Sequence, residues 1–313
     1  MINMKIVRFL TPTKGVPVIG LLINNKVLDL NQSYARYTQQ SGASLVNSVE
    51  ELMALSHQQD EIQQVIAFAM HHDDAAGNLY FDLSEVNLLS PLDDVPKIIA
   101  LAGNYKTHGP SEKPKRPLLF SKNPGLGIVG PNQDIVVPDT IDNLDYEIEL
   151  GIVIGKKGRF IPHEHAEDHI GGYTVFNDIC DRLFLYERAA IGPDWYGMKA
   201  QENFSVFGPC IQTEVTNPQE LDMRLKVNDE LRQDGNTRDM LFTATELVQY
   251  ISQLVTLEPG DIIATGTCFG TAMERARKGE QCWLKDGDVI EAEIEQIGVL
   301  ANQIRCIKPV YQH

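Results

Sequence analysis

The chain has 313 residues, of which 43% are hydrophobic and 22% are charged, and its formal net charge is -16 at pH 7. This acidic excess argues against nucleic acid or an anionic membrane as a partner, and no segment approaches the roughly 18 apolar residues of a membrane span. The five cysteines include no C-x-x-C pair, and the N-terminus has no long apolar stretch, which predicts a reducing, cytoplasmic location.

A small N-terminal α/β domain is predicted over residues 1–92. Its predicted strands are residues 5–10, 18–23 and 27–30, and its predicted helices are residues 48–56 and 61–71. Asn24 and Asn25 separate the second strand from the third and favour a hairpin turn. A loop with acidic residues and prolines at residues 91–96 marks the domain boundary.

The second predicted domain, residues 93–313, has short apolar strands separated by glycine and proline. Its main predicted strands are residues 98–101, 118–120, 135–137, 148–154 and 173–176. One clear helix, residues 243–255, begins with a possible capping box formed by Thr243 and Glu246. Many strands with few helices predict an α+β, β-rich fold and not an alternating βα chain.

Two motifs that suggest other functions are discounted. Gly125, Gly127 and Gly130 match G-x-G-x-x-G, but Pro131 and a strand follow where a dinucleotide-binding motif needs a helix. The histidine-rich run at residues 163–169 is polar and follows a glycine and a proline, which favours a solvent-exposed loop over a set of metal ligands.

Glu147 and Glu149 form the most informative pair in the sequence. Residues at i and i+2 of a strand share a face, and the apolar run that follows predicts burial. Because an unpaired buried charge is unfavourable by several kcal/mol, a hard cation such as Mg²⁺, Mn²⁺ or Ca²⁺ is one solution. The alternative is a polar strand face in water, which better fits the acidic residues Glu291, Glu293 and Glu295.

Other candidate site residues lie at strand ends or in loops. Asp178 follows a predicted strand and is a candidate third metal ligand, although an Asx turn is an alternative. His108 also follows a strand, and Glu112 lies four residues later, on the same face if the segment is helical. That geometry suits a general base and its orienting carboxylate. Lys199 lies in a predicted loop between strands.

Six segments, in this order, resemble the fumarylacetoacetate hydrolase family over roughly residues 95–305. They are Gly103-Asn104-Tyr105 with His108, the run 117–122, the run 145–150, Gly172-Tyr173 with Asn177-Asp178 and Arg182, Lys199 followed by Gly208-Pro209, and the run 257–261 with Thr265-Gly266-Thr267. The resemblance implies a mixed β-roll in the second domain and a homodimer.

The resemblance also implies a ligand set and a class of substrate. Mg²⁺ or Mn²⁺, with Ca²⁺ as a further option, would be held by Glu147, Glu149 and Asp178, and the substrate would be a small 2-oxo or dioxo acid. The implied substrate-side residues, each with a structural role as its alternative, are Tyr105, Arg182, Gln233 and Thr267.

We therefore expect a divalent-metal-dependent hydrolase that cleaves a C–C bond of an acylpyruvate-like 2,4-dioxo acid through a metal-stabilised enolate. His108 with Glu112 would activate water, and Lys199 would supply positive charge. The alternatives are a 2-oxo acid decarboxylase, dehydratase or isomerase, or a catalytically silent metabolite-binding protein. Two departures bear on this choice: Ser111 stands where many members have the acid, and Leu185 stands where glutamine is common.

Overall fold

The computed structural model describes residues 4–11, 15–55, 59–71, 79–186 and 192–309, and strands predominate in it. The strands are β1 Lys5–Leu10, β2 Val18–Ile23, β3 Lys26–Asp29, β4 Tyr80–Asp82, β5 Asn87–Leu89, β6 Ile98–Ala102, β7 Leu118–Lys122, β8 Ile128–Val129, β9 Asp134–Pro138, β10 Leu144–Asp145, β11 Ile148–Ile154, β12 Ile170–Asp178, β13 Cys180–Asp181, β14 Ser205–Gln212, β15 Asp222–Val227, β16 Glu230–Asn236, β17 Ile262–Thr267, β18 Val289–Ile294 and β19 Gly298–Ile307.

The helices are short apart from two. The α-helices are α1 Leu30–Tyr37, α2 Val49–Leu55, α3 Gln59–His71, α4 Leu183–Tyr186, α5 Trp195–Lys199, α6 Ala244–Leu254 and α7 Ala272–Ala276. Single 3-10 turns lie at Leu83–Glu85, Pro124–Leu126, His163–His165, Glu167–His169 and Thr237–Asp239. Within the described ranges, none of these helices has the length and apolar character needed to cross a bilayer.

The described strands form one large sheet and two smaller ones. The large sheet has 12 strands in the order β4-β3-β2-β1-β14-β12-β11-β17-β6-β7, with β5 paired to β1 and β8 paired to β14. A five-stranded sheet runs β16-β15-β18-β19-β9, and β10 pairs with β13. Parallel pairs such as β17 with β6 occur beside antiparallel ones. This mixed, β-rich architecture confirms the predicted α+β fold class.

Strand β11 lies near the middle of the large sheet because all its residues are small or apolar except one. Every residue of β11 is buried, and β12 and β17 pair with it on its two sides. Gly151 permits close packing there, since an added Cβ would lie 2.8 Å from Thr174 Cγ2. In the β12 register Ile148 faces Asn177, so the start of β11 lies beside the end of β12.

The N-terminal strands extend the same large sheet. β1 pairs antiparallel with β14, with Lys5 opposite Gln212 and Ile6 opposite Ile211. The predicted strands and hairpin of this region are confirmed, as are α2 and α3, except that residue 56 lies outside the described residues. The division into domains at residue 92 stays a prediction.

Two further elements test the local sequence rules. Helix α6 begins as predicted, with the Thr243 side chain accepting a hydrogen bond from Glu246 N and the Glu246 side chain accepting one from Thr243 N. Helix α1 is not among the elements that the sequence predicts, and the strand predicted at residues 27–30 ends one residue earlier, at Asp29. Asp29 ends that strand and caps the helix by accepting a hydrogen bond from Gln32 N at 2.9 Å.

Gln233 on β16 joins the five-stranded sheet to the large sheet. Its side chain is fully buried, and its Oε1 accepts a hydrogen bond from Ile148 N at 3.0 Å. Its Nε2 donates to Thr267 Oγ1 at 2.9 Å and to the Cys268 carbonyl at 2.8 Å. One amide side chain therefore fixes the start of β11 against the end of β17.

Replacing Gln233 with leucine should lower the free energy of unfolding by about 3 kcal/mol, because the buried Ile148 N–H and Cys268 carbonyl lose this partner. Urea unfolding followed by fluorescence measures the change. Gln303 is an exposed glutamine on β19, and Gln303→Leu should stay within about 0.5 kcal/mol of the wild type. Equal unfolding midpoints for the two variants would contradict the assignment.

Candidate active site

Three buried carboxylates, those of Glu147, Glu149 and Asp178, meet where β11 begins and β12 ends. Each offers an oxygen that lies within 4.8 Å of the others. Two hydrogen bonds set this geometry: Asp178 N donates to the Glu147 carbonyl at 2.9 Å, and Glu147 N donates to Asn177 Oδ1 at 3.1 Å. The antiparallel register thus brings together the three residues that the sequence placed at strand ends.

Buried cations hold two of the three carboxylates. Lys199 Nζ donates to Glu147 Oε2 at 2.6 Å and to Asp178 Oδ2 at 2.7 Å. Lys122 Nζ pairs with Asp178 Oδ1, and it also donates to the Ile179 carbonyl at 3.1 Å. Arg182 pairs with Glu147 Oε1 through one nitrogen. Charge-assisted bonds of this kind orient both carboxylates firmly.

Glu149 differs from its two neighbours in its surroundings. Its Oε2 accepts a hydrogen bond from Gly266 N at 2.7 Å, but its Oε1 is buried without a hydrogen-bond partner. Burial raises the pKa of Glu149, and the charges of Asp178 and Glu147 raise it further. Burial also raises the pKa of Glu147, but Arg182 and Lys199 outweigh that effect and hold it well below its usual range.

The donor set fits a divalent cation. Within the described part of the site, the four buried carboxylates of Asp145, Glu147, Glu149 and Asp178, when all are ionised, carry one more charge than the three buried cations Lys122, Arg182 and Lys199. Desolvated excess charge needs a counter-ion, and the unpartnered Oε1 of Glu149 is an available ligand atom. Carboxylate oxygens suit hard ions such as Mg²⁺ or Mn²⁺.

A histidine–glutamate pair lies beside the carboxylates. His108 Nδ1 and Glu274 Oε1 are 2.9 Å apart, and each side chain is only 14% exposed. Burial raises the pKa of Glu274, but the hydrogen bond with His108 outweighs it and the net pKa is lowered. His108 is also close enough to the carboxylate cluster to lower the pKa of Glu147.

The fold holds Glu274 in place from the other side. Glu274 occupies the third position of α7, where it forms a capping box with Thr271. Its Oε2 accepts a hydrogen bond from Gly270 N at 2.7 Å, which leaves Oε1 directed to His108. A carboxylate anchored in this way can fix the orientation and tautomer of the imidazole.

The geometry expected for Glu112 is not found. Residues 106–117 form turns and bends and no helix, so His108 and Glu112 do not share a helical face. Pro110 disfavours helical backbone at the residue before it, and Gly109 packs so closely on Gly103 that a Cβ would lie 2.4 Å from the Gly103 carbonyl oxygen. Glu112 is exposed, and the carboxylate that orients His108 is that of Glu274.

Three of the four predicted substrate-side residues contact protein atoms behind the site. Tyr105 is fully buried with its hydroxyl 3.2 Å from Met223 Sδ, and Thr267 Oγ1 donates to the Ile148 carbonyl at 2.7 Å. Gln233 joins the two sheets, as described above. Arg182 alone lies among the carboxylates, and it is 4% exposed. These contacts are positioning contacts, and contact with substrate stays a prediction for all four.

The sequence did not assign a role to Lys122, Asp145 or Glu274. Asp145 accepts hydrogen bonds from Arg182 Nε at 2.8 Å and from Ala272 N at 2.6 Å, so it links the carboxylate cluster to the start of α7. The available signals were weak: a lysine at the end of an apolar strand, and the capping-box spacing of Thr271 and Glu274.

The histidine-rich run at residues 163–169 forms two largely exposed 3-10 turns. Among the described residues it holds no cluster of metal-binding side chains.

Comparison with known proteins places this geometry in context. The chain is 33% identical over 309 residues to a mitochondrial oxaloacetate tautomerase of Bos taurus, covering 96% of this chain and 92% of the bovine one. A solved fumarylacetoacetate hydrolase of the psychrophile Exiguobacterium antarcticum has a TM-score of 0.76 and 30% identity, covering 97% of this chain and 100% of that one.

A second solved structure holds ligands. The maleylpyruvate hydrolase of Sphingobium sp. SYK-6, in complex with manganese(II) and pyruvate, has a TM-score of 0.72 and 30% identity, covering 97% of this chain and 99% of that one. These relatives are enzymes that act on small organic acids. The family model of the fumarylacetoacetate (FAA) hydrolase C-terminal region matches residues 97–305. The chain therefore belongs to the fumarylacetoacetate hydrolase family.

Proposed function

We propose that the protein is a divalent-metal-dependent hydrolase that cleaves a C–C bond of an acylpyruvate-like 2,4-dioxo acid. The observation that carries the proposal is the buried carboxylate cluster with the unpartnered Glu149 Oε1, beside the His108–Glu274 pair. The manganese and pyruvate bound to the Sphingobium hydrolase support it, because pyruvate is the 2-oxo acid that an acylpyruvate releases on cleavage.

Glu147, Glu149 and Asp178 would hold the cation, and the cation would draw electrons from the 2-oxo group and stabilise negative charge on its oxygen. Lys199 places an ammonium group between Glu147 and Asp178, where it can bind the substrate carboxylate. Lys122 holds Asp178 from the other oxygen. These buried contacts keep the ligand oxygens oriented before substrate binds, which is the condition for electrostatic stabilisation.

His108 is the proposed general base. When its Nδ1 donates to Glu274 Oε1, its Nε2 carries the lone pair and can take a proton from water. The resulting hydroxide attacks the carbonyl of the acyl group, here called the distal carbonyl. The C–C bond between this carbonyl and the neighbouring carbon then breaks, and its electron pair stays with the 2-oxo acid as its enolate. The Glu274 carboxylate stabilises the imidazolium until the proton is returned to that carbon.

A keto–enol tautomerase is the second candidate, and the bovine relative favours it because the match spans 96% of this chain. The same His108–Glu274 pair would move a proton to or from the carbon next to the oxo group, without attack by water. The two candidates differ only in the fate of the distal carbonyl.

We further propose that the protein works as a homodimer in a reducing, cytoplasmic compartment. All five cysteines are free, and four of them are buried. Unpaired thiols of this kind are typical of reducing compartments. Light scattering of the purified protein measures the oligomeric state, and a monomer mass would contradict the dimer.

Glu149→Gln should weaken Mn²⁺ binding by about 100-fold or more, since an amide oxygen replaces the carboxylate that, among the three proposed ligands, forms no described salt bridge. Titration calorimetry with Mn²⁺ alone measures the affinity. Glu293→Gln is the matched control, because Glu293 is an exposed glutamate on β18, and it should bind Mn²⁺ like the wild type. Unchanged Mn²⁺ affinity in Glu149→Gln would contradict the assignment of the ligands.

His108→Gln and Glu274→Gln should each lower kcat for acetylpyruvate cleavage by about 10²–10⁴-fold, because the base or its orienting carboxylate is lost. Circular dichroism checks that each variant folds. Glu112→Gln should keep kcat close to that of the wild type, since Glu112 is exposed and His108 is hydrogen-bonded to Glu274. A loss in Glu112→Gln with normal activity in Glu274→Gln would restore the pairing that the sequence suggested.

The two candidate reactions give different products. With Mn²⁺ and acetylpyruvate, a hydrolase should release one pyruvate and one acetate for each substrate consumed, which enzymatic pyruvate assay and NMR measure. With oxaloacetate, a tautomerase should speed the decay of the enol absorbance without forming pyruvate. Tautomerisation without any C–C cleavage would replace the proposed hydrolase by the second candidate.

A further inference from the structure

One face of β7 leads from the carboxylate cluster towards the surface. Lys122 and Phe120 are two residues apart on β7, so their side chains point to the same side of the sheet. Lys122 reaches Asp178 from that face. Phe120 is therefore the next side chain outward from the metal ligands on this strand, and it is only half-buried.

Helix α5 covers this face with an aromatic ring and a lysine. Trp195 and Lys199 lie four residues apart on α5 and share one side of it. The Trp195 and Phe120 rings stack with centroids 5.1 Å apart and an interplanar angle of 19°. Lys199 Nζ lies 5.5 Å from the Phe120 ring centroid while it contacts both Glu147 and Asp178.

The packing of α5 fixes this arrangement. Gly197 faces α4 so closely that an added Cβ would lie 2.5 Å from Phe184 Cδ1. Asp194 caps the helix by accepting a hydrogen bond from Gly197 N at 3.0 Å. Helix α5 is thus held between α4 and β7, and Trp195, half-buried, keeps part of its surface accessible.

We propose that Phe120 and Trp195 form the subsite for the acyl end of the substrate and that this subsite selects a planar, unsaturated or aromatic acyl group. The inference rests on the proposed function, which puts the 2-oxo acid end at Glu147, Asp178 and Lys199. Lys199 contacts both those carboxylates and the Phe120 ring. The aromatic pair therefore lies within reach of a group that is attached to the substrate a few bonds from its 2-oxo acid end. Flat π-systems pack favourably on such stacked rings, whereas a methyl group gains little from them.

Binding of uncleavable analogues to the Mn²⁺-loaded protein tests the subsite. Oxalate probes the carboxylate cluster alone, and 2-oxobutanoate and 4-phenyl-2-oxobutanoate differ only in the phenyl ring and lack the distal oxo group. Calorimetry should show 4-phenyl-2-oxobutanoate binding about tenfold more tightly than 2-oxobutanoate in the wild type. This ratio should fall close to one in Trp195→Ala and be kept in Trp195→Phe.

Two further variants make the result decisive. Phe120→Leu keeps an apolar residue on the strand and should also lower the ratio. It tests the subsite independently of whether Trp195→Ala folds. Tyr196→Ala removes an exposed aromatic side chain of the same helix and should keep the ratio. Oxalate binding without a phenyl preference in the wild type, or a preference that survives in both Trp195→Ala and Phe120→Leu, would overturn the subsite alone. A wild type that fails to bind oxalate in the presence of Mn²⁺ would overturn the proposed function, and the subsite with it.

Discussion

An excess of negative charge in a place closed to water is the constraint on which the rest of this site depends. Glu149 is fully buried on a central strand, and the carboxylates beside it are already shared among Lys122, Arg182 and Lys199. Burying an ion is unfavourable by several kcal/mol unless charge and hydrogen bonds compensate. The surrounding cations and the backbone N–H of Gly266 compensate part of the buried negative charge, and the site fits a divalent ion that would compensate the rest.

The fold was predictable wherever the determining signal was local. The apolar run of β11, the hairpin around Asn24 and the capping box of α6 each lie within a few residues, and each was predicted close to its observed bounds. Helix α1 was missed because its first residue, Leu30, also ends the mainly apolar segment 27–30, which favours a strand although Asp29 interrupts it. The joining of the N-terminal strands to β14 depends on a contact between residues 5 and 212, which no local pattern indicates.

The site divides in the same way. Strand alternation pairs Glu147 with Glu149, and a strand end makes Asp178 a candidate, but the complete ligand set came from the family resemblance. Glu274 lies 166 residues from His108 in sequence, so only the folded chain brings the two together. The Glu112 prediction assumed a helical turn, which the Gly109-Pro110 pair prevents. Tyr105 was assigned to substrate from a motif, and its buried hydroxyl lies 3.2 Å from Met223 Sδ, so its contact with substrate stays a prediction.

The pairing of β1 and β8 with β14 has a consequence for anyone who dissects this chain. β14 is bordered on one side by β12, which carries Asp178, and on the other by β8 and β1. A fragment without β1 would leave the end of that second border, at Ile211 and Gln212, without its strand partner. Exposed strand borders recruit other chains and promote aggregation. Strand β1 thus covers an edge of β14 that would otherwise be open to pairing with other chains.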